Sequence, residues 1–205
     1  MLKRLAALPL LAAAALALAP SALAAGGRYT FDGGTAAERG QVVKALDASS
    51  FPWGLLPGTV VVHIGAVPVS RATPGQVWLD AGLLDSGRFS WGVVQHEFAH
   101  EVDFLLLDAA ARARLAPMLG DADWWGAGYT EHSDLGCERF ASTLAWAFWP
   151  AGDNAMRPSG PNDEAGHVAP SAFRAALAAV LPGAVAQPAE ALRTTADSHP
   201  KRRGH

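Results

Sequence analysis

His96-Glu97-Phe98-Ala99-His100 is the stretch on which the reading of this chain turns. Residues four apart on an α-helix lie one above the other, so both imidazoles can grip one metal ion. The glutamate between them then projects toward a metal-bound water, the arrangement that a catalytic zinc site with a general base requires. The bland alternative is two histidines on an ordinary helix, satisfied by hydrogen bonds.

The residues around the motif test these readings. The pattern predicts a long helix from about Ser90 to Leu107. At about 100° per residue, Trp91, Val94, Phe98, Val102, Leu105 and Leu106 gather on one side. His96, His100 and Asp103 gather opposite, with Glu97 at their flank. Val93, Phe104 and Leu107 line that second side too, so the helix is expected to be buried nearly all round. Unpaired imidazoles are costly in such a place, and one metal satisfies both. Asp103, one turn on, has two readings: it orients a ligand imidazole from behind, or it is a solvated or Arg-paired carboxylate.

Catalytic zinc takes three protein ligands and leaves a position for water. Metzincins use a histidine six residues past the second one, with glycine midway; Leu106 and Asp103 stand there, which excludes that class. A second helix is expected from near Ser133 to before Pro150, carrying Glu138-Arg139-Phe140-Ala141-Ser142-Thr143-Leu144-Ala145. Glu138 shares a face with Ala141, Ser142 and Ala145, and small residues there let this helix approach the first closely. Glu138 is therefore the preferred third ligand. Its competitors are His132, Asp134 and Cys137, and a first-turn glutamate is also favoured simply by the helix dipole. Cys137 reads more simply as a small buried hydrophobe.

Working outward, Arg28 to Phe31 reads as a short strand, and Thr35 can cap a helix running to about Asp47. Thr59 to Ile64 is a run of β-branched residues broken at His63, expected to be a buried strand, and Gln76 to Asp80 is another after the turn signal Pro74-Gly75. A looser stretch rich in Gly, Trp and Asp follows the first long helix, and a final short helix ends at Leu181. This order of strands and helices predicts an α+β domain over residues 26–183. Half the residues are hydrophobic and 17% charged, enough for a core, and a net charge of −3 gives no nucleic-acid footprint. The single cysteine, Cys137, excludes an intramolecular disulfide.

The ends read differently. A basic start, the apolar run Leu5 to Ala19 and the small-residue site Ala22-Leu23-Ala24 predict a cleaved signal peptide over residues 1–24, hence a secreted or extracytoplasmic protein with no membrane contact after cleavage. Residues 184–205 lack an apolar period and are expected to form a flexible tail. Asp153, Asp163 and Glu164 lie in a Pro/Gly-rich loop whose spacing matches no calcium-binding hand. Most of the seven tryptophans sit among apolar residues and read as core rather than as a glycan-binding groove.

Taken together, His96-Glu97-Phe98-Ala99-His100-Glu101-Val102-Asp103 and Glu138-x-Phe140-Ala141-x-x-Leu144-Ala145 resemble the gluzincin zinc metallopeptidases. The layout is most similar to small bacterial domains related to the catalytic domain of anthrax lethal factor, over about residues 60–149. The resemblance implies a zincin-like domain: a small sheet packed on a buried HExxH helix, followed by a second ligand-bearing helix. It implies His96, His100 and Glu138 as ligands of Zn2+ and Glu97 as general base. It also implies Gln76 to Asp80 as the sheet edge on which a peptide substrate pairs. Tyr129 stands where lethal-factor-like chains carry a tyrosine that stabilises the oxyanion, with His132 and His167 as rivals. One departure is local: related enzymes carry an acidic residue four positions past the third ligand, and this chain has Ser142. The function expected is a secreted zinc peptidase acting on a peptide or protein substrate; the alternative is a non-catalytic, zinc-containing binding protein.

Overall fold

The computed structural model of the chain describes residues 27–120, 123–126 and 131–185. The expected signal peptide and most of the expected tail lie outside the described residues. Ala184, placed by sequence at the start of that tail, is fully buried, and Val185 packs against the core. No helix among the described residues is long and apolar enough to cross a membrane.

The fold is α+β, a small mixed sheet with six α-helices among the described residues. Strand β1 (Tyr29–Gly33) leads into helix α1 (Ala36–Ala48). Thr35 starts that helix with a capping box: its hydroxyl takes the N–H of Glu38, and the Glu38 carboxylate takes the N–H of Thr35. Strand β2 (Val60–Gly65) is followed by the hairpin of β3 (Arg71–Thr73) and β4 (Gln76–Asp80). The order across the sheet is β1-β2-β4-β3, with β1, β2 and β4 parallel and β3 antiparallel to β4.

The sheet has one dry face. Val60, Val62, Ile64, Val77 and Leu79 are buried beneath it, in one core with Leu46 of α1 and Phe98 of the HExxH helix. The alternate residues point away, and Asp32, His63, Trp78 and Arg71 form one row across the outer face. The reading of Thr59 to Ile64 as a strand buried on both faces is corrected by this pattern. Val61 and His63 are half-buried on the outer side, so β2 has the alternation of a one-faced sheet.

Helix α2 (Ala81–Leu84) turns the chain into α3 (Ser90–Leu106). From Val94 to Asp103 every residue of α3 is buried, as the two apolar flanks of the motif predict. Two buried side chains fix its place. Gln95 Nε2 donates to Ala45 O of α1 at 2.7 Å. Glu101 accepts the backbone N–H groups of Gly75 (2.7 Å) and Gln76 (3.2 Å), tying α3 to the β3–β4 turn. Burial pushes the Glu101 carboxyl up to about 7, against these two hydrogen bonds.

Helix α4 (Ala109–Leu115) occupies part of the stretch read as irregular, capped by Asp108, whose carboxylate accepts from Ala111 N at 2.7 Å. Helix α5 (Gly136–Phe148) packs on α3, and its free N–H groups at Gly136 and Cys137 donate to the carbonyls of Asp123 and Trp124. Helix α6 (Pro170–Val180) closes the core through Phe173 and Leu177.

Candidate metal centre

Helices α3 and α5 bring three donor atoms together. His96 Nε2 and His100 Nε2 are 3.1 Å apart, and Glu138 Oε2 lies 3.1 Å from the first and 3.2 Å from the second. Side-chain exposure is 9% for each histidine and 12% for the glutamate, so the triangle is nearly dry yet open on one side. The helical spacing sets the His–His edge, and Ala141 and Ala145, both fully buried, let α5 come near enough to close the other two.

Hydrogen bonds alone cannot satisfy this triangle. The carboxylate carries no proton, and each Nε2 carries at most one. Two protons can serve two edges, so the third edge always brings polar atoms together with nothing between them. A cation facing all three atoms removes that deficit. A tetrahedral ion about 2.0–2.2 Å from each donor needs donors about 3.3–3.6 Å apart, only a few tenths of an ångström wider than the triangle. The buried His96, His100 and Glu138 group could therefore hold a metal ion.

The charges agree with this. Burial alone would raise the Glu138 carboxyl, but the hydrogen bonds and charges of His100 and His96 outweigh it and hold it well below the carboxylate range. Burial alone would lower His100, yet its hydrogen bond to Glu138 and the surrounding carboxylates raise it. Glu97 is raised by burial, partly opposed by the two histidines.

The three donors and Glu97 open on a cleft of about 690 Å3. One wall is a stack running outward from the triangle: His100 on Phe104, Phe104 on Trp125, with ring centroids 5.9 Å apart in each pair, and the Arg112 guanidinium over Trp125. Pro68 to Ala72 also line the cleft, and with them Arg71 and Ala72 of the edge strand β3. This corrects the expected position of the sheet edge. Strand β4, Gln76–Asp80, is paired on both sides, because the turn at Pro74-Gly75 folds β3 back over the side that would otherwise be free.

The remaining candidates separate. Tyr129 lies outside the described residues. His132 sits at the cleft with its Nε2 3.3 Å from Glu138 Oε2 and its side chain 69% exposed, but it does not join the three-atom group. Asp134 is paired with Arg139 at 2.6 Å. Cys137 lines the cleft with Sγ 3.8 Å from Glu138 Oε1; burial and the carboxylates of Glu138 and Asp103 push its thiol up to about 12. His167 lies beside Gly120, away from the cleft.

For Asp103 the structure shows the Arg-paired reading. Its fully buried carboxylate accepts from Arg112 Nε at 2.7 Å and Trp124 Nε1 at 2.9 Å. Its two oxygens meet α4 and Trp124, and its charge is among those that raise His100. The partner that sequence reasoning missed is behind His96. Its Nδ1 is 3.0 Å from Ser142 Oγ, and that hydroxyl is 2.5 Å from Glu164 Oε2. Asp163 and Glu164 do not form a calcium cradle: Asp163 turns back to accept from Ser159 and Gly160, while Glu164 faces Ser142 and His132. Comparison of the chain with protein-family models, with curated proteins and with solved structures found no match.

Proposed function

We propose that this chain is a zinc-dependent peptidase of the gluzincin type on a zincin-like fold, exported and acting on peptide or protein substrates outside the cytoplasm. One observation carries the reading: three converging donors at 3.1–3.2 Å border a cleft in which a fourth group, Glu97, is left free for chemistry. The other cleft carboxylates are engaged: Asp80 with Leu83 N, Glu138 with the histidines, Glu164 with Ser142. Glu97 accepts no hydrogen bond from a described residue.

His96, His100 and Glu138 would hold the ion. Zinc, when bound, acts as a Lewis acid that activates water and polarises a carbonyl. Glu97 takes the proton of the attacking water and returns it to the leaving amine. Burial suits it to that exchange, because a carboxyl raised above the ordinary carboxylate range is a stronger base than a solvated one. The free side of β3 offers backbone groups to an extended peptide, which would lie across the cleft between this edge and the Phe104–Trp125 wall. A further donor is needed for the developing oxyanion. Tyr129 and His132 are the candidates; the place of His132 at the cleft beside Glu138 supports the second.

Glu97→Gln tests the reading. The amide cannot take the water's proton, so the variant should bind zinc as the wild type does and lose about 100-fold or more in peptide cleavage. Cleavage by that variant at near wild-type rate would remove Glu97 from the mechanism, and a wild-type protein that binds zinc but cleaves no peptide would favour a binding role.

A further inference from the structure

We propose that Glu164 is a positioning residue for the metal centre, acting through the Ser142 hydroxyl to fix the proton of His96 on the nitrogen that faces away from the metal. The inference rests on the zinc reading above and concerns a group far from the motif in sequence.

A hydroxyl has one hydrogen to give and two lone pairs with which to accept. Ser142 Oγ has three neighbours: His96 Nδ1 at 3.0 Å, Glu164 Oε2 at 2.5 Å and Met156 Sδ at 3.4 Å. The carboxylate only accepts, and a charged acceptor outcompetes a thioether, so the hydroxyl hydrogen goes to Glu164. Ser142 then has only lone pairs to offer His96. The hydrogen between them must sit on Nδ1, which leaves Nε2 with its lone pair aimed at His100 and Glu138. One carboxylate at the end of a two-bond chain thus selects the ligating tautomer.

The surroundings are built to hold this chain of bonds. Ser142 is 2% exposed, so little water competes for its hydroxyl. The loop carrying Glu164 is pinned by the Asp163 carboxylate, which accepts from Ser159 N and Oγ and from Gly160 N. Gly166, just beyond, has no room for a side chain against the backbone of Gly160 and Pro161. The carboxylate that serves Ser142 thus comes from a loop 22 residues on.

The second oxygen of Glu164 reaches His132 Nδ1 at 3.3 Å, and His132 Nε2 meets Glu138. That arm is exposed and long, and exposed pairs of this kind contribute little. The buried arm through Ser142 is the one expected to govern metal affinity.

The test is the zinc dissociation constant, measured on purified full-length chain by competition with a chromophoric chelator. Glu164→Ala and Ser142→Ala should each weaken zinc about 10–100-fold, the usual effect of removing the partner behind a ligand imidazole. The double variant should lose no more than the larger single loss, because the two groups act in series. Ser142→Asp should be worse than wild type, since it sets two carboxylates face to face, yet it should restore affinity in the Glu164→Ala chain by placing a carboxylate directly on His96 Nδ1. His132→Ala should change affinity by about threefold or less. Glu164→Ala with wild-type affinity, or losses that multiply in the double variant, would overturn this proposal and leave the zinc reading intact. A wild-type chain that takes up no zinc would overturn both.

Discussion

Removing the third donor should uncouple metal from stability. In Glu138→Ala the helices keep their small interface residues, but the triangle loses the only negative charge among its donors. Structural zinc sites of four donors bind with roughly 10–16 kcal/mol, or about 3 kcal/mol per donor, so losing one should weaken zinc by about 100-fold or more. With free zinc set at about 100 times the wild-type dissociation constant, the metal stabilises the wild type by about 2.7 kcal/mol and the variant by about 0.4 kcal/mol. For a domain of this size each kcal/mol moves Tm by about 2–4 °C, so the difference amounts to roughly 5–9 °C. The assay is the midpoint of thermal unfolding with zinc and with chelator, and the quantity to compare is the increment due to metal. It should nearly vanish in Glu138→Ala and persist in Cys137→Ser, His132→Ala and Asp134→Asn. A full increment in Glu138→Ala, or its loss in one of the other three, would refute the ligand assignment.

Two further outcomes follow, one from the donor triangle and one from the packing of α3. Without metal, the Glu138 charge is stabilising above its ordinary carboxyl range, because its folded value is lowered, and the His100 charge is stabilising below about 6.5, because its folded value is raised. Metal-free protein should therefore lose stability from pH 6 to 8, whereas zinc-bound protein should gain it, because ligation needs neutral imidazoles; parallel pH trends with and without metal would contradict the shared role of these groups. In Gly92→Ala the new methyl would meet Asn154 Oδ1 and the backbone nitrogens of Ala155 (2.9 Å) and Met156 (3.1 Å). Overpacking of about 1–3 kcal/mol should exceed the helix-propensity gain of about 1 kcal/mol, so Tm should fall; a rise would show that the 154–156 loop is not seated on α3.

What could be read from the sequence was local chemistry with a period. The HExxH spacing is legible because helical geometry alone places both imidazoles on one side. Thr35 with Glu38 announces the start of α1, and the Ala141 and Ala145 face singles out Glu138. Strand β3 was not legible: three residues are too few to establish a period, and only the hairpin turn reveals that they cover β4. Helix α4 did leave a signal, Asp108 followed by Ala and Arg residues with high helix propensity, but it was masked by the Gly- and Trp-rich residues after it. The pairing of Asp103 with Arg112, nine residues on, depends on where α4 packs. The bond from Ser142 to Glu164 spans an irregular loop, and no spacing rule reports such a contact.

The most direct measurement is the anomalous diffraction of crystals grown with zinc, recorded on either side of the zinc absorption edge. One peak is expected about 2.0–2.2 Å from each of His96 Nε2, His100 Nε2 and a carboxylate oxygen of Glu138, with its open side toward Glu97 and the cleft. A peak ligated by His132 or Cys137 in place of Glu138, or no peak between α3 and α5, would contradict it.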